Sequence, residues 1–292
     1  MKINALLIAI TALVCSFMSG AAEDVKLVPN ANLSFEFSAL GETLFAAGSA
    51  DKKPARMSVI LPENYAADKT FPLFVYIQGG NGGNGDGAAF ARRSIGPRDY
   101  IAVNLPLFKD KLPATPPVPG KDVSKLITTD DGALLGRNYR VMLQKLFDSV
   151  PNIAADGSTI GGFSNGAHAT GALLSAGDDF ILKHFTNFVL LEGGGRFFTK
   201  LDAAKHSDEL KHCRIIVLLA DHGNEPAKKK NIDEIVAPFK KQAEELGLTI
   251  TWITMAGYGH EQPPEFIKLI ANWTRKEELP QVPPKASPEP KN

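Results

Sequence analysis

Residues 158–174 read Ser-Thr-Ile-Gly-Gly-Phe-Ser-Asn-Gly-Ala-His-Ala-Thr-Gly-Ala-Leu-Leu. A short strand-like run is followed by a Gly-x-Ser-x-Gly pentapeptide with Ser164 at its centre, and then by a helix-like run. A tight turn from a buried strand into a helix exposes a serine hydroxyl and points the free N–H groups of the helix at the same space. Because a serine hydroxyl is a poor nucleophile without a base and backbone donors beside it, this context predicts a nucleophilic serine at position 164.

Strand-like and helix-like segments alternate outward from this turn. Phe71 to Ile77 is a continuous apolar run, as expected for a strand buried on both faces. Further strands are predicted at 56–61, 100–105, 158–161, 188–191, 214–220 and 248–255, and helices at 88–93, 133–147, 167–174, 232–246 and 264–273. This alternation predicts an α/β fold with a mainly parallel central sheet and helices on both faces.

Three segments are predicted from local signals. Residues 33–39 and 43–47 suggest an N-terminal hairpin around Gly41. Asp130-Asp131 is expected to cap the helix that follows it. Residues 106–126 are rich in proline and lysine, so no regular structure is expected there.

The composition is that of an ordinary globular protein. The chain has 292 residues, of which 44% are hydrophobic, and this is enough for one large core. Thirty-two basic and 32 acidic residues give a formal net charge of zero. This balance argues against nucleic acid or an anionic membrane as a partner.

The N-terminus has the pattern of a secretory signal peptide over residues 1–22. Lys2 supplies the positive charge, residues 5–17 the apolar stretch, and Ser-Gly-Ala-Ala at 19–22 the cleavage site. A secreted or periplasmic protein is therefore expected. Lipoprotein anchoring at Cys15 is disfavoured, because the two residues before it are Leu and Val instead of a small residue.

The rest of the chain is predicted to be one catalytic domain, residues 23–279, since no repeat or interior linker divides it. Residues 280–292 form a polar, proline-rich tail that is predicted to be disordered. Removal of the signal peptide leaves Cys213 as the single cysteine, so no intramolecular disulfide is expected. Cys213 is predicted to be a buried small hydrophobic residue.

A serine on such a turn needs a base and an orienting acid that follow later strands. His260 follows the last predicted strand, and Asp221 follows the apolar run 215–220. Glu225 is a second candidate for the acid. His168, one helical turn after Ser164, is expected to be packed and hydrogen-bonded within the fold.

Around these positions the chain resembles the α/β-hydrolase superfamily. More narrowly, it resembles the exported esterases grouped with feruloyl esterases and polyhydroxybutyrate depolymerases. The matching stretches are Leu61-Pro62-Glu63-Asn64-Tyr65, Pro72-Leu73-Phe74-Val75 before a glycine-rich loop, and Gly257-Tyr258-Gly259-His260-Glu261. The resemblance extends over residues 56–275 and implies an α/β-hydrolase fold.

The resemblance also implies a serine esterase that cleaves carboxylic esters through an acyl-enzyme. Ser164 would be the nucleophile, His260 the base and Asp221 the orienting acid. The substrate would be an acyl or feruloyl ester of a cell-wall polysaccharide, or a polyester. A serine peptidase of the same fold and a non-catalytic carbohydrate-binding relative are the alternatives.

The oxyanion would be stabilised by backbone N–H groups on two sides of Ser164. One donor would be Asn165, and the other Gly79 or Gly80 in the loop after the Phe71 strand. Members of the family commonly carry His-Gly at this loop, whereas this chain has Gln78-Gly79, a change that keeps the backbone donors.

No cofactor and no metal are expected. Residues 79–87 lack the Gly-Lys-Ser/Thr ending of a nucleotide-binding loop. The histidines at 206, 212 and 222 do not have the spacing of zinc ligands.

Overall fold

The computed structural model describes residues 26–50, 52–111, 126–195, 208–223 and 231–285. The predicted signal peptide and Glu225 lie outside these ranges. Within them, no helix combines the length and the apolar character that crossing a membrane requires.

The described residues form an eight-stranded sheet with the order β1-β2-β4-β3-β5-β6-β7-β8. β2 pairs antiparallel with both of its neighbours, and the strands from β4 to β8 in this order pair in parallel. The mainly parallel sheet is thus confirmed. The strands are β1 Asn32–Phe37, β2 Ala55–Ile60, β3 Leu73–Ile77, β4 Ile101–Leu105, β5 Thr159–Phe163, β6 Asn187–Leu191, β7 Arg214–Ala220 and β8 Thr249–Met255.

Helices cover both faces of the sheet. The helices are α1 Leu44–Ala47, α2 Ala89–Ile95, α3 Gly132–Ser149, α4 Asn165–Ala176, α5 Asp179–His184, α6 Ile232–Glu245 and α7 Pro264–Arg275. α3 and α4 contribute to one hydrophobic cluster, while α2 and α7 contribute to the other. In β3, Val75 belongs to the first cluster and its neighbours Phe74 and Tyr76 to the second. A strand with two buried faces explains the continuous apolar run of the sequence.

The predicted N-terminal hairpin is wrong. β1 pairs with β2, in a register from Asn32 opposite Ile60 to Phe37 opposite Ala55. Residues 44–47 form the short helix α1, whose first turn is capped by the Thr43 hydroxyl accepting from the Ala46 N–H at 3.1 Å. The helix buries Leu44 completely. Burial of Leu44 and pairing of β1 with the edge of β2 stabilise the fold more than an isolated two-stranded hairpin would, because such a hairpin is marginally stable in water.

Asp131 makes no capping hydrogen bond to α3 itself. It is the last residue of a 3₁₀ turn, Thr129–Asp131, that leads directly into α3, and it closes a capping box with Thr128 at the start of that turn. It accepts from the backbone N–H of Thr128 at 2.8 Å and of Asp110 at 3.0 Å, and it pairs with Lys109 at 3.1 Å. Burial by itself raises the pKa of Asp131, but these bonds outweigh it, so that the pKa is lowered overall. The carboxylate therefore holds residue 110 beside residue 128.

The first part of the predicted disordered tail packs on the domain. Val282 contacts the second hydrophobic cluster. The Lys285 N–H donates to the Ala256 carbonyl at 3.0 Å, and its ammonium group donates to Glu261 at 2.6 Å. An apolar residue and two polar contacts thus hold residues 280–285 against the loop after β8. Residues 286–292 lie outside the described ranges.

Candidate active site

Ser164 lies at the junction of β5 and α4 in a strained backbone conformation. Its φ and ψ are 53° and −114°. A residue held in such a sparsely populated backbone conformation costs about 1–3 kcal/mol, and such residues cluster at functional sites. The turn is held by the Ser164 N–H, which donates to the Leu191 carbonyl at 2.8 Å, and by the Ser164 carbonyl, which accepts from the His168 N–H at 3.0 Å.

The glycines of the pentapeptide are required by close backbone approach. A Cβ at Gly162 would lie 2.5 Å from the Ile77 carbonyl oxygen, and one at Gly166 would lie 2.0 Å from the same atom. Both distances are too short for any side chain. The glycines therefore let α4 start directly against the end of β3, which sets Ser164 beside the loop that follows β3.

The structure brings His260 to Ser164, although 96 residues separate them. The His260 Nε2 atom lies 2.8 Å from the Ser164 Oγ atom. The imidazole packs on the ring of Phe163, with ring centroids 4.7 Å apart. A hydrogen bond of this length suits proton transfer from the hydroxyl to the imidazole.

The carboxylate on the other side of His260 belongs to Glu192. Its Oε2 atom lies 3.4 Å from the His260 Nδ1 atom and 3.5 Å from the His222 Nε2 atom. Its Oε1 atom accepts a hydrogen bond from the Ala220 N–H. The side chain is only 4% exposed, and the residue directly follows β6 with a φ of 54°.

Asp221, the predicted acid, has other partners. Its Oδ1 atom accepts from the Gly257 N–H at 2.7 Å and from the Gly223 N–H at 2.8 Å. It therefore ties the turn after β7 to the loop after β8, while the contact expected between Asp221 and His260 is made by Glu192. The prediction that Asp221 lies beside His260 is therefore corrected to Glu192. The Asp221 carboxylate instead bends back onto the N–H two residues later and closes a local turn.

Glu192 is not among the acids predicted from the sequence, although the sequence carries a signal for it. Glu192 directly follows the apolar run 188–191, in the same way as Asp221 follows 215–220. Three glycines come next, which is typical of a turn at a strand end. The two acids are equivalent in pattern.

The predicted oxyanion residues surround Ser164. Asn165 is the first residue of α4, where backbone N–H groups have no partner within the helix. A Cβ at Gly79 would lie 3.1 Å from the Ser164 Cβ atom. Gly80 accepts a hydrogen bond from the Asn165 side chain at 2.8 Å through its carbonyl. The loop after β3 and the start of α4 thus meet at Ser164.

Further predictions concern His168, which is close to Ser164, and the thiol of Cys213. His168 is packed and hydrogen-bonded as expected, since its Nδ1 atom accepts from the Gly194 N–H at 3.3 Å. Cys213 is buried, and burial raises the pKa of its thiol to about 11. A thiol of this pKa is protonated at neutral pH and is a poor nucleophile.

Among the described residues, no group of three or more His, Cys, Asp or Glu side chains is arranged to hold a metal ion. The chemistry available at this edge of the sheet is that of a hydroxyl, an imidazole, a carboxylate and backbone N–H groups.

No family model and no curated protein matches the chain. Among solved structures it is similar to the acylaminoacyl peptidase of Pyrococcus horikoshii, with 12% identity over 88% of this chain and 43% of that chain and a TM-score of 0.50. An acylaminoacyl peptidase in complex with a chloromethyl ketone gives 12% identity, 88% and 44% coverage, and a TM-score of 0.50. A thermostable esterase gives 17% identity, 76% and 54% coverage, and a TM-score of 0.44.

The chain therefore spans about half the length of these proteins or less, 43–54%. The sheet order and the likeness to the peptidase structures show that the chain has the α/β-hydrolase fold. At 12–17% sequence identity the similarity to these structures concerns the fold. The reaction and the substrate depend on the residues of the site.

Proposed function

We propose that the protein is a serine hydrolase that cleaves carboxylic esters through an acyl-enzyme. The observation that carries the proposal is the 2.8 Å contact between the Ser164 Oγ and His260 Nε2 atoms at a strained strand-to-helix turn. Ser164 is the nucleophile, His260 is the general base, and Glu192 is the acid that orients His260.

In the first half-reaction, His260 Nε2 takes the proton of the Ser164 hydroxyl as Oγ bonds to the ester carbonyl carbon. The electron pair of the carbonyl moves onto its oxygen. Glu192 keeps the Nδ1 proton of His260 in place and stabilises the imidazolium that forms. The buried carboxylate is suited to this role, because it is held by the Ala220 N–H and has little contact with water.

The oxyanion is stabilised by the backbone N–H of Asn165 and by that of Gly79 or Gly80. Loss of one such donor typically lowers turnover by about 10²–10³-fold. The tetrahedral intermediate then collapses: the bond to the alcohol oxygen breaks, and His260 returns its proton to that oxygen. Water repeats the sequence on the acyl-enzyme and releases the acid with free Ser164.

For the substrate, we propose an acyl or feruloyl ester of a cell-wall polysaccharide, or a polyester. The support is the resemblance to exported esterases together with the predicted signal peptide at residues 1–22. Catalytic residues of this type are equally compatible with peptide bonds, so the test includes a peptide substrate.

The experiment uses residues 23–292 and compares the wild type with Ser164→Ala. Hydrolysis of short-chain p-nitrophenyl esters, methyl ferulate and an N-acylated dipeptide is measured, with fluorophosphonate labelling mapped by mass spectrometry. We expect ester turnover and labelling at Ser164, both lost in Ser164→Ala at an unchanged melting temperature. Faster cleavage of the peptide would overturn the esterase assignment. No turnover and no labelling would overturn the hydrolase and leave a binding protein.

A further inference from the structure

We propose that the side-chain amide of Asn165 is a positioning group that holds the oxyanion loop against the nucleophile. The inference rests on the proposed function, because it assigns a role in the same reaction. It concerns the side chain of Asn165, whereas the oxyanion donor of this residue is its backbone N–H.

The Asn165 side chain bridges two segments that are distant in sequence. Its Nδ2 atom donates to the Gly80 carbonyl at 2.8 Å, and its Oδ1 atom accepts from the Ile127 N–H at 2.6 Å. The residue is 2% exposed. The bond to Ile127 is buried and the bond to Gly80 is partly buried, and a buried amide group is expensive to leave without its hydrogen bonds.

The loop after β3, which the Asn165 amide holds, is fixed by few contacts at Gly80. Gly80 has a φ of 63°, and a Cβ there would meet no atom within 4 Å, so packing does not fix this residue. The loop closes through the Gly82 N–H, which donates to the Gly79 carbonyl at 3.0 Å. The Gly79 carbonyl shares its peptide plane with the Gly80 N–H, and the Gly80 carbonyl shares the next plane with the Asn81 N–H. The bonds from Gly82 and from Asn165 therefore fix the two planes on either side of Gly80, and with them the direction of its N–H group.

One residue thereby couples both walls of the oxyanion site. The backbone of Asn165 supplies the donor on the α4 side, and its side chain fixes the loop that supplies the donor on the β3 side. Oxyanion donors act on charge that develops in the transition state. Loss of the amide should therefore lower kcat with little effect on KM, and a misplacement near 1 Å costs about 10²-fold in rate.

A matched control exists at the opposite end of the sheet. Asn152 is also buried, at 8% exposure, and its Nδ2 atom donates to the carbonyls of Ala66 and Lys69 at 2.9 and 2.7 Å. Its Oδ1 atom accepts from the Tyr65 hydroxyl. The Asn152 side chain thus holds a loop by buried amide hydrogen bonds, as that of Asn165 does, but its partners all lie at residues 65–69, in the segment before β3 and away from Ser164.

The experiment compares Asn165→Ala with Asn152→Ala, and Asn165→Asp with Asn152→Asp. For each variant, melting temperature, kcat and KM for a p-nitrophenyl ester, and the inhibition constant of a trifluoromethyl ketone are measured. The ketone is used because its adduct with the serine carries an oxyanion. The alanine pair adds no charge to the site, and fluorophosphonate titration corrects kcat for the folded fraction.

We expect both Asn165 variants to lose about 10²-fold in kcat, with a parallel weakening of the ketone and a KM within about threefold of the wild type. The Asn152 variants should lower the melting temperature while keeping kcat and the inhibition constant. Equal losses in the two alanine variants, or none in Asn165→Ala, would overturn the inference alone. A wild type without Ser164-dependent turnover would overturn the proposed function, and the inference with it.

Discussion

The turns after β6 and β7 each place a carboxylate at the same edge of the sheet, and the two carboxylates do different things. Glu192 reaches His260, whereas Asp221 accepts two backbone N–H groups and joins neighbouring loops. β6 is the direct neighbour of β5, while β7 is one strand further away. Since strands lie about 4.8 Å apart, the residue after β6 starts one strand spacing closer to Ser164.

The backbone adds to this difference. Ser164 and Glu192 have φ values of 53° and 54°, and each directly follows its strand. After β7 the positive φ falls on His222 instead of Asp221. The first residue after β6 thus shares the positive φ of Ser164, whereas after β7 the positive φ comes one residue later. Position in the sheet and backbone direction together decide which acid meets the imidazole.

The largest difference between the two acids is expected when each carboxylate is neutralised in turn. Glu192→Gln should lower kcat by about 10⁴-fold, because an amide in the place of the acid favours the wrong tautomer of the base. Asp221→Asn should lower it far less, since an amide oxygen still accepts from both N–H groups. Ester hydrolysis at saturating substrate measures both. If Asp221→Asn showed the larger loss, Asp221 would be the catalytic acid, as the sequence alone predicts.

The structural role of Asp221 is tested by removing its carboxylate. Asp221→Ala should lower the free energy of unfolding by about 1–3 kcal/mol, because the N–H groups of Gly223 and Gly257 lose their acceptor. Chemical denaturation monitored by tryptophan fluorescence measures this loss. Glu192→Gln is the comparison variant. A loss in Asp221→Ala no greater than in Glu192→Gln would contradict the role of Asp221 in joining the loops.

The loop that Asp221 holds can be disturbed from its other side. Gly257 has a φ of 78°, and a Cβ there would lie 2.5 Å from the Lys285 carbonyl oxygen. Gly257→Ala should cost about 1–2 kcal/mol from the backbone conformation alone, and it should displace residues 280–285. Thermal unfolding and limited proteolysis measure the two effects. Gly41→Ala, at a site with no atom within 4 Å and no positive φ, should leave both unchanged.

The smallest effect is expected for the ion pair that holds the tail to this loop. The hydrogen bond from Lys285 lowers the pKa of Glu261. The pair therefore stabilises the fold above pH 4.5, the ordinary value for the carboxyl, and this contribution is lost as the pH falls through the lowered pKa. Lys285→Ala should cost less than about 1 kcal/mol at pH 7.

The pH dependence supplies the check on this pair. Melting temperatures of Lys285→Ala and wild type are compared at pH 7 and near pH 3, and their difference should shrink at the lower pH. Lys268→Ala on α7 serves as the control for loss of an exposed lysine. A difference that grows towards acid pH would contradict the pairing.

Much of the fold and part of the site follow from local sequence. The apolar runs mark the strands, because a strand buried on both faces needs apolar residues in succession. The glycines around Ser164 mark the tight turn between β5 and α4, because Gly162 and Gly166 stand where no side chain fits. His260 follows from its place after the last strand. These signals are local, so one chain read in order is enough.

Contacts between residues that are distant in sequence depend on the tertiary structure. The choice of Glu192 over Asp221 depends on which strands are neighbours, and chain order does not report this. The pairing of β1 with β2, the contact of residues 280–285 with the loop after β8 and the bridge from Asn165 to Gly80 and Ile127 likewise join distant parts of the chain. Patterns of hydrophobicity and turn residues specify elements and strand ends, but partners are chosen only when the elements pack.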